Sequence, residues 1–284
     1  MTRATLARLF AAIVVLTVVI AVPMTLIHWD GTQASSQADK IDTLLNVMIV
    51  LSSFVFAIVL VMLGYSIWKY RAKPGDESDG EPIHGNTKLE VAWTVIPTVI
   101  VLFGAIYSWI VLGDIETKAS DALPVNVTAQ QYEWTFNYPQ PNGKVVSSKK
   151  LVVPEGRQLD LHLTSLDVVH SFWVQEWRIK RDVVPAGFGG NDIDNQVVVT
   201  PDRLGTYAVT CTELCGFGHA TMRAFVEVVP PDEFATWLKK QPQVKPVAGT
   251  STGAATASPS EEETGSGSTT STSPTDTTTS TGGT

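Results

Sequence analysis

Both cysteines of the chain fall within one short stretch, Cys211-Thr-Glu-Leu-Cys215-Gly-Phe-Gly-His219-Ala-Thr-Met222. Thiolate, imidazole and thioether at this spacing make a soft donor set, and soft donors select copper or zinc over hard cations. A disulfide between Cys211 and Cys215 would close a very small loop and constrain little of the unfolded chain. Metal binding is therefore the chemistry these residue types serve. A shielded site needs one more donor, and His170 in Leu166-Asp-Val-Val-His-Ser-Phe-Trp173 supplies it. His170 is expected just before a strand, among apolar and aromatic neighbours. Alone it would read as a core histidine bonded to a backbone carbonyl; beside the 211–222 stretch it reads as a ligand. His162, between Leu161 and Leu163, is expected on the opposite face of its strand, at the surface.

The elements that must position these donors are β-strands. Residues 123–129, 150–154, 158–164, 195–200, 205–210 and 221–229 alternate apolar and polar to varying degrees, with Gly, Pro, Asn and Asp between them. Short strands at such spacing indicate a β-sandwich or barrel. Residues 130–138 read as an aromatic strand packing that core. Residues 231–240 read as a short capped helix. From Ala248 onward the chain is Ser, Thr, Gly and acid; it buries no core, and residues 244–284 are expected to be a disordered tail.

The strands follow apolar runs. Residues 44–65 and 91–112 are each long enough to cross a bilayer of about 30 Å, and residues 35–114 form a hairpin of two spans. Lys69, Arg71, Lys73 and Lys88 flank its connecting loop, which places the loop in the cytoplasm and residues 115–284 outside it. Residues 1–34 carry Arg3 and Arg8 before an apolar run that reaches Ile27 through Pro23. They read either as an export signal, with Thr32-Gln-Ala34 as a small-residue cleavage site, or as an extra membrane helix. The net charge is −8. Residues 115–243 hold 15 acidic and 12 basic residues, a balance of 12 − 15 = −3. No basic stripe appears, which excludes a nucleic-acid binder.

The pattern Cys-x-Glu-x-Cys-x-x-x-His-x-x-Met, with Asp-Val-Val-His-Ser-Phe upstream, resembles the binuclear copper (CuA) site of subunit II of the haem–copper cytochrome c oxidases. Residues 51–59, Pro82-Ile-His-Gly-Asn-Thr-Lys-Leu-Glu-Val-Ala-Trp-Thr-Val-Ile-Pro97, Arg178-Ile-Lys-Arg-Asp182 and Pro185 are similar to that family in the same order, so the resemblance covers about residues 40–240. It implies a transmembrane helical hairpin followed by a cupredoxin-like Greek-key sandwich or barrel over 115–243, in the plasma (inner) membrane. It implies that Cys211 and Cys215 bridge two coppers, that His170 and His219 each cap one, and that Met222 and the Glu213 carbonyl are weak axial ligands. A single blue-copper centre would leave one cysteine idle, and structural zinc would leave Met222 idle. The resemblance further implies a magnesium or manganese ion shared with subunit I through the Glu213 carboxylate, proton uptake at Glu90, and contact with subunits I and III. It implies a c-type cytochrome as electron donor, free or within a respiratory supercomplex. The family's electron-entry tryptophan has Tyr132 in its place, while Trp134 matches the second family tryptophan. Lys180 and Asp182 match a pair near subunit I. A metal-free quinol-oxidase-type subunit and a membrane-anchored copper carrier are the competing readings. The intact donors oppose the first; the two-span hairpin with Glu90 opposes the second.

Overall fold

The computed structural model describes residues 2–27, 29, 31–72, 74–75, 80, 82, 84–187 and 195–245. Lys73 of the connecting loop and the Ser/Thr-rich tail from residue 246 lie outside the described residues.

Three apolar helices come first. α1 spans Arg3–Leu26, α2 Ser36–Lys69 and α3 Thr87–Ile115, and each is long and apolar enough to cross a membrane. The two spans expected at 44–65 and 91–112 are thus the middles of longer helices. Hydropathy finds only the apolar middle, whereas the polar ends are fixed by caps. Ser35 Oγ accepts from Ala38 N at 3.1 Å, and Asn86 Oδ1 accepts from Lys88 N and Leu89 N at 3.1 and 3.3 Å, satisfying N–H groups that the first turn leaves without partners. α1 packs along α2. Ala21 on α1 and Ser53 and Ala57 on α2 are buried, small residues of the kind that let helix backbones approach closely.

The outer end of α2 is rooted in the β-domain. Ser35 Oγ donates to Trp177 O (3.0 Å), Ser36 N to Thr200 O (3.0 Å), Ala34 N to Glu176 O (2.9 Å) and Thr200 N to Gln37 Oε1 (3.0 Å). The Arg178 guanidinium grips Asp42 through Nε and Nη2 at 2.8 and 2.9 Å. From the exit of α3, Lys118 pairs with Asp160. These bonds hold the β-domain close to the outer ends of the helices.

The β-domain is a two-sheet sandwich. β1 (Leu123–Gln130), β2 (Glu133–Pro139), β3 (Val145–Ser148), β5 (Leu159–Ser165), β8 (Gln196–Val199) and β11 (Gln243–Val244) form one sheet in the order β11-β3-β2-β1-β5-β8. β4 (Leu151–Pro154), β6 (His170–Val174), β7 (Ile179–Val183), β9 (Gly205–Cys211) and β10 (Arg223–Val229) form the other, in the order β4-β10-β9-β6-β7. β1 with β5 and β4 with β10 run parallel; the other pairs are antiparallel. Val125, Val127, Trp134, Phe136, Leu161, Phe172, Val209 and Val226 fill the space between the sheets. Tyr138 staples them together: its hydroxyl donates to Val152 O (2.9 Å) and accepts from Val152 N (2.8 Å). Burial pushes its phenol well above the usual tyrosine range.

Four sequence expectations change. The 130–138 stretch is not one strand, because Gln130 pairs with Glu133 and Gln131-Tyr132 forms a two-residue hairpin tip. α4 (Pro231–Lys240) follows Pro230 with no side-chain cap. His162 is half-buried rather than a simple surface residue, with Nε2 3.1 Å from Asp160 Oδ2. The polar face of β5 is occupied, since Asp160 there is also held by Lys118 and by the amide of Gln196. In addition, Val244 belongs to β11 and not to the tail.

Candidate metal centre

His170 opens β6, and Cys211 closes β9. The register sets Phe172 opposite Cys211, so a residue far upstream in sequence is delivered beside the cysteine loop. That loop connects β9 to β10 and is closed by Cys211 N donating to Met222 O at 3.2 Å. His219 begins a 3-10 turn, which brings Met222 back under the loop.

The donors converge. Cys211 Sγ and Cys215 Sγ are 3.8 Å apart, too far for a disulfide, and both cysteines are buried. His170 Nδ1 lies 3.8 Å from Cys211 Sγ, whereas His219 Nδ1 lies 3.7 Å from Cys215 Sγ. Met222 Sδ is 3.9 Å from Cys215 Sγ, and the Glu213 carbonyl oxygen is 3.3 Å from Cys211 Sγ. His170, Cys211 and Cys215 place their ligand atoms within 4.8 Å of one another. With metal–thiolate bonds of about 2.3 Å, sulfurs 3.8 Å apart can both contact one ion. The donor set therefore fits a soft metal. Burial, reinforced by the neighbouring Cys211, pushes the Cys215 thiol of the metal-free chain up to about 11, so a bound metal must displace a proton.

Two residues outside the expected ligand set shape the centre. His170 Nε2 is 2.8 Å from Asp167 Oδ1, and Gln131 N donates to Asp167 Oδ2 at 2.7 Å. Partial burial works to raise the Asp167 carboxyl, but the bonds from His170, Gln131 and Val168 outweigh it and hold it below the usual carboxylate range. Gln131 Nε2 also donates to Cys215 O at 2.5 Å. An acid three residues before the ligand histidine was the signal for Asp167; nothing local marked Gln131.

The other candidate residues sit apart from the donors in different degrees. Tyr132 is 40% exposed and lies over the metal loop, so close that added Cβ atoms at Gly216 and Gly218 would meet it at 2.7 and 2.5 Å. Trp134 is buried, its ring 6.2 Å from that of His170 and 5.7 Å from that of Phe172. The Glu213 side chain is exposed. Glu90 lies at the far end of α3, where Oε1 accepts from Asn86 N at 3.1 Å and so helps cap the helix. Lys180 and Asp182 are half-exposed, 3.7 Å apart.

Family models agree with this architecture. That described as "Cytochrome C oxidase subunit II, transmembrane domain" matches residues 21–111, and that described as "Cytochrome C oxidase subunit II, periplasmic domain" matches residues 141–229. The chain belongs to the cytochrome c oxidase subunit II family. A cytochrome c oxidase subunit 2 of Thermostichus vulcanus is 31% identical over 73% of this chain and 77% of its own length. One from Synechocystis is 30% identical over 79% and 81%. Among solved structures, the periplasmic domain of subunit II of cytochrome oxidase of Bradyrhizobium japonicum is 27% identical, covers 44% of this chain and 94% of its own, and has a TM-score of 0.38. As a member of the family, the chain is an oxidase subunit with apolar membrane helices and a copper-binding, cupredoxin-like domain on the outer face.

Proposed function

We propose that the chain is the electron-entry subunit of a proton-pumping cytochrome c oxidase, carrying a binuclear CuA centre. The observation that carries this is the two-ended donor set: each imidazole lies against a different thiol, His170 with Cys211 and His219 with Cys215. A single ion would need all four donor atoms close to one another, whereas His219 stands outside the close group formed by His170, Cys211 and Cys215; two ions would use the imidazoles separately. When bound, the copper pair supplies a one-electron carrier whose charge is shared across the sulfurs. Cys211 and Cys215, His170 and His219, with Met222 and the Glu213 carbonyl as weaker donors, would hold the pair.

The remaining residues serve passage of charge. Tyr132, at the surface over the loop, takes the place where electrons enter from a c-type cytochrome, and Trp134 lies behind it against His170. Electrons leave toward haem in subunit I, where oxygen is reduced to water. The exposed Glu213 carboxylate is available to a magnesium or manganese ion shared with subunit I, and Lys180 and Asp182 face the same partner. Subunit III completes the assembly. Glu90 lies on the cytoplasmic side, where a carboxylate can gather protons. α1 is a third span in the plasma membrane: Arg3 and Arg8 then lie on the same side as Lys69, Arg71 and Lys88. The segment after α1 is built into the β-domain, with Ala34 and Ser35 fully buried.

Stopped-flow reduction of the assembled oxidase by ferrocytochrome c tests this reading. Wild type is expected to show rapid reduction of a copper chromophore before haem. Cys215→Ser should abolish that phase while leaving haem assembly in subunit I intact. Equal haem reduction rates in both proteins would refute it.

A further inference from the structure

We propose that Gln131 is a positioning residue of the metal centre, clamping the arm that bears His170 to the arm that bears Cys215. This rests on the binuclear copper reading above. The backbone N–H of Gln131 donates to Asp167 Oδ2 at 2.7 Å, and the other oxygen of that carboxylate lies 2.8 Å from His170 Nε2. The side-chain amide of the same glutamine donates to Cys215 O at 2.5 Å. A histidine donor on β6 and a cysteine donor on the β9–β10 loop are thereby linked by hydrogen bonds that would not pass through a bound metal.

Each link does definite work. A carboxylate only accepts, so it places the proton of a neutral His170 on Nε2 and leaves the lone pair of Nδ1 facing Cys211. Asp167 is in turn fixed by Val168 N (2.7 Å) and Ser165 Oγ (3.2 Å) as well as by Gln131 N. The amide of Gln131 holds the backbone at Cys215, where the chain turns into Gly216 with φ +125°. The fit is close: an added Cβ at Gly216 would lie 2.9 Å from Gln131 Nε2. Glutamine suits the position because it reaches the Cys215 carbonyl and donates to it. Glutamate of the same size has no donor, and asparagine is one methylene short. Ligands steered from outside in this way hold nearly the same positions in both oxidation states, which suits a one-electron carrier.

The test uses the full chain in the assembled oxidase. Gln131→Leu and Gln131→Glu remove the side-chain link but keep the backbone bond to Asp167; Asp167→Ala removes the other link. Copper retention against a chelator and the visible and paramagnetic resonance spectra of the retained copper are read for each, with circular dichroism reporting the fold. Both Gln131 variants are expected to hold copper about 10–100-fold more weakly and to show an altered copper spectrum in a folded domain. The double variant Gln131→Leu/Asp167→Ala should lose less than the product of the single losses, because the links form one chain. Glutamine variants with wild-type retention and spectrum overturn the clamp. Weakened retention with an unchanged spectrum also overturns it, since that is loss of stability alone. If wild type itself lacks a two-copper spectrum, the binuclear reading fails instead.

Discussion

Substituting Gly218 with alanine tests how Tyr132 is seated on the metal loop. The new methyl would fall 2.5 Å from Tyr132 Cγ and Cδ2 and 2.9 Å from Cδ1. Carbon atoms rest most favourably at about 3.5–4.0 Å, so the ring must retreat by about 1 Å. Cγ lies on the Cβ–Cγ axis, so spinning the ring about that bond cannot relieve the clash; the side chain must swing about Cα–Cβ or the hairpin tip must shift. Gly218 has φ −88°, which alanine adopts without strain, so the cost is the collision alone. Gly216, at φ +125°, would mix collision with backbone strain. Overpacking of this kind costs about 1–3 kcal/mol. Denaturant unfolding of the metal-free full chain in detergent should show that loss for Gly218→Ala. Tyr132→Ala removes the ring, so Gly218→Ala in that background should cost less than about 0.5 kcal/mol. The same penalty in both backgrounds would refute the contact.

Three further perturbations address other parts of the structure. Tyr138→Phe strips both Val152 backbone groups of their partner, and unfolding measurements should show a loss of about 1–3 kcal/mol; a change below 0.5 kcal/mol would mean the staple between the sheets carries nothing. Burial works to raise the Asp160 carboxyl, but Lys118, Gln196 and His162 outweigh it and hold it below the usual range. Its contribution to stability is therefore complete above the ordinary aspartate pKa of about 4 and disappears as pH falls through the lowered folded-state value. The stability gap between wild type and Asp160→Asn should be constant from pH 5 to 6 and shrink below pH 4; a gap that widens on acidification contradicts the sign. Glu90→Gln keeps an acceptor for Asn86 N but cannot titrate, so oxidase turnover should fall with the helix intact, whereas unaltered turnover reduces Glu90 to a cap.

The convergence of the donor loop was legible because it is local. Cys211, Cys215, His219 and Met222 are specified by spacing alone, and one β-turnaround brings them together. His170 was legible through its sequence neighbourhood, although the pairing of β6 with β9 is what delivers it. The hairpin tip was not, because Gln131-Tyr132 lacks the Gly, Asn or Asp that usually announces a two-residue turn, so the aromatic pattern reads straight through it. That hid Gln131, whose role depends on facing Asp167 and Cys215 at once. The beginning of α2 was missed for a different reason. Ser36, Gln37 and Asp42 are polar because they bond to the β-domain, and hydropathy counts such residues as loop. β3 escaped because Val145–Ser148 is too short for a period to show.

On the proposed function, two thiols and two separately placed imidazoles hold a pair of coppers. The most direct test is the copper content of the purified, assembled oxidase, measured with the hyperfine pattern of the oxidised subunit II signal. Three coppers per complex, one assigned to subunit I, and a signal from one unpaired electron shared equally by two copper nuclei are expected. A four-line signal from a single copper nucleus, or zinc at Cys211 and Cys215, would rule the copper pair out.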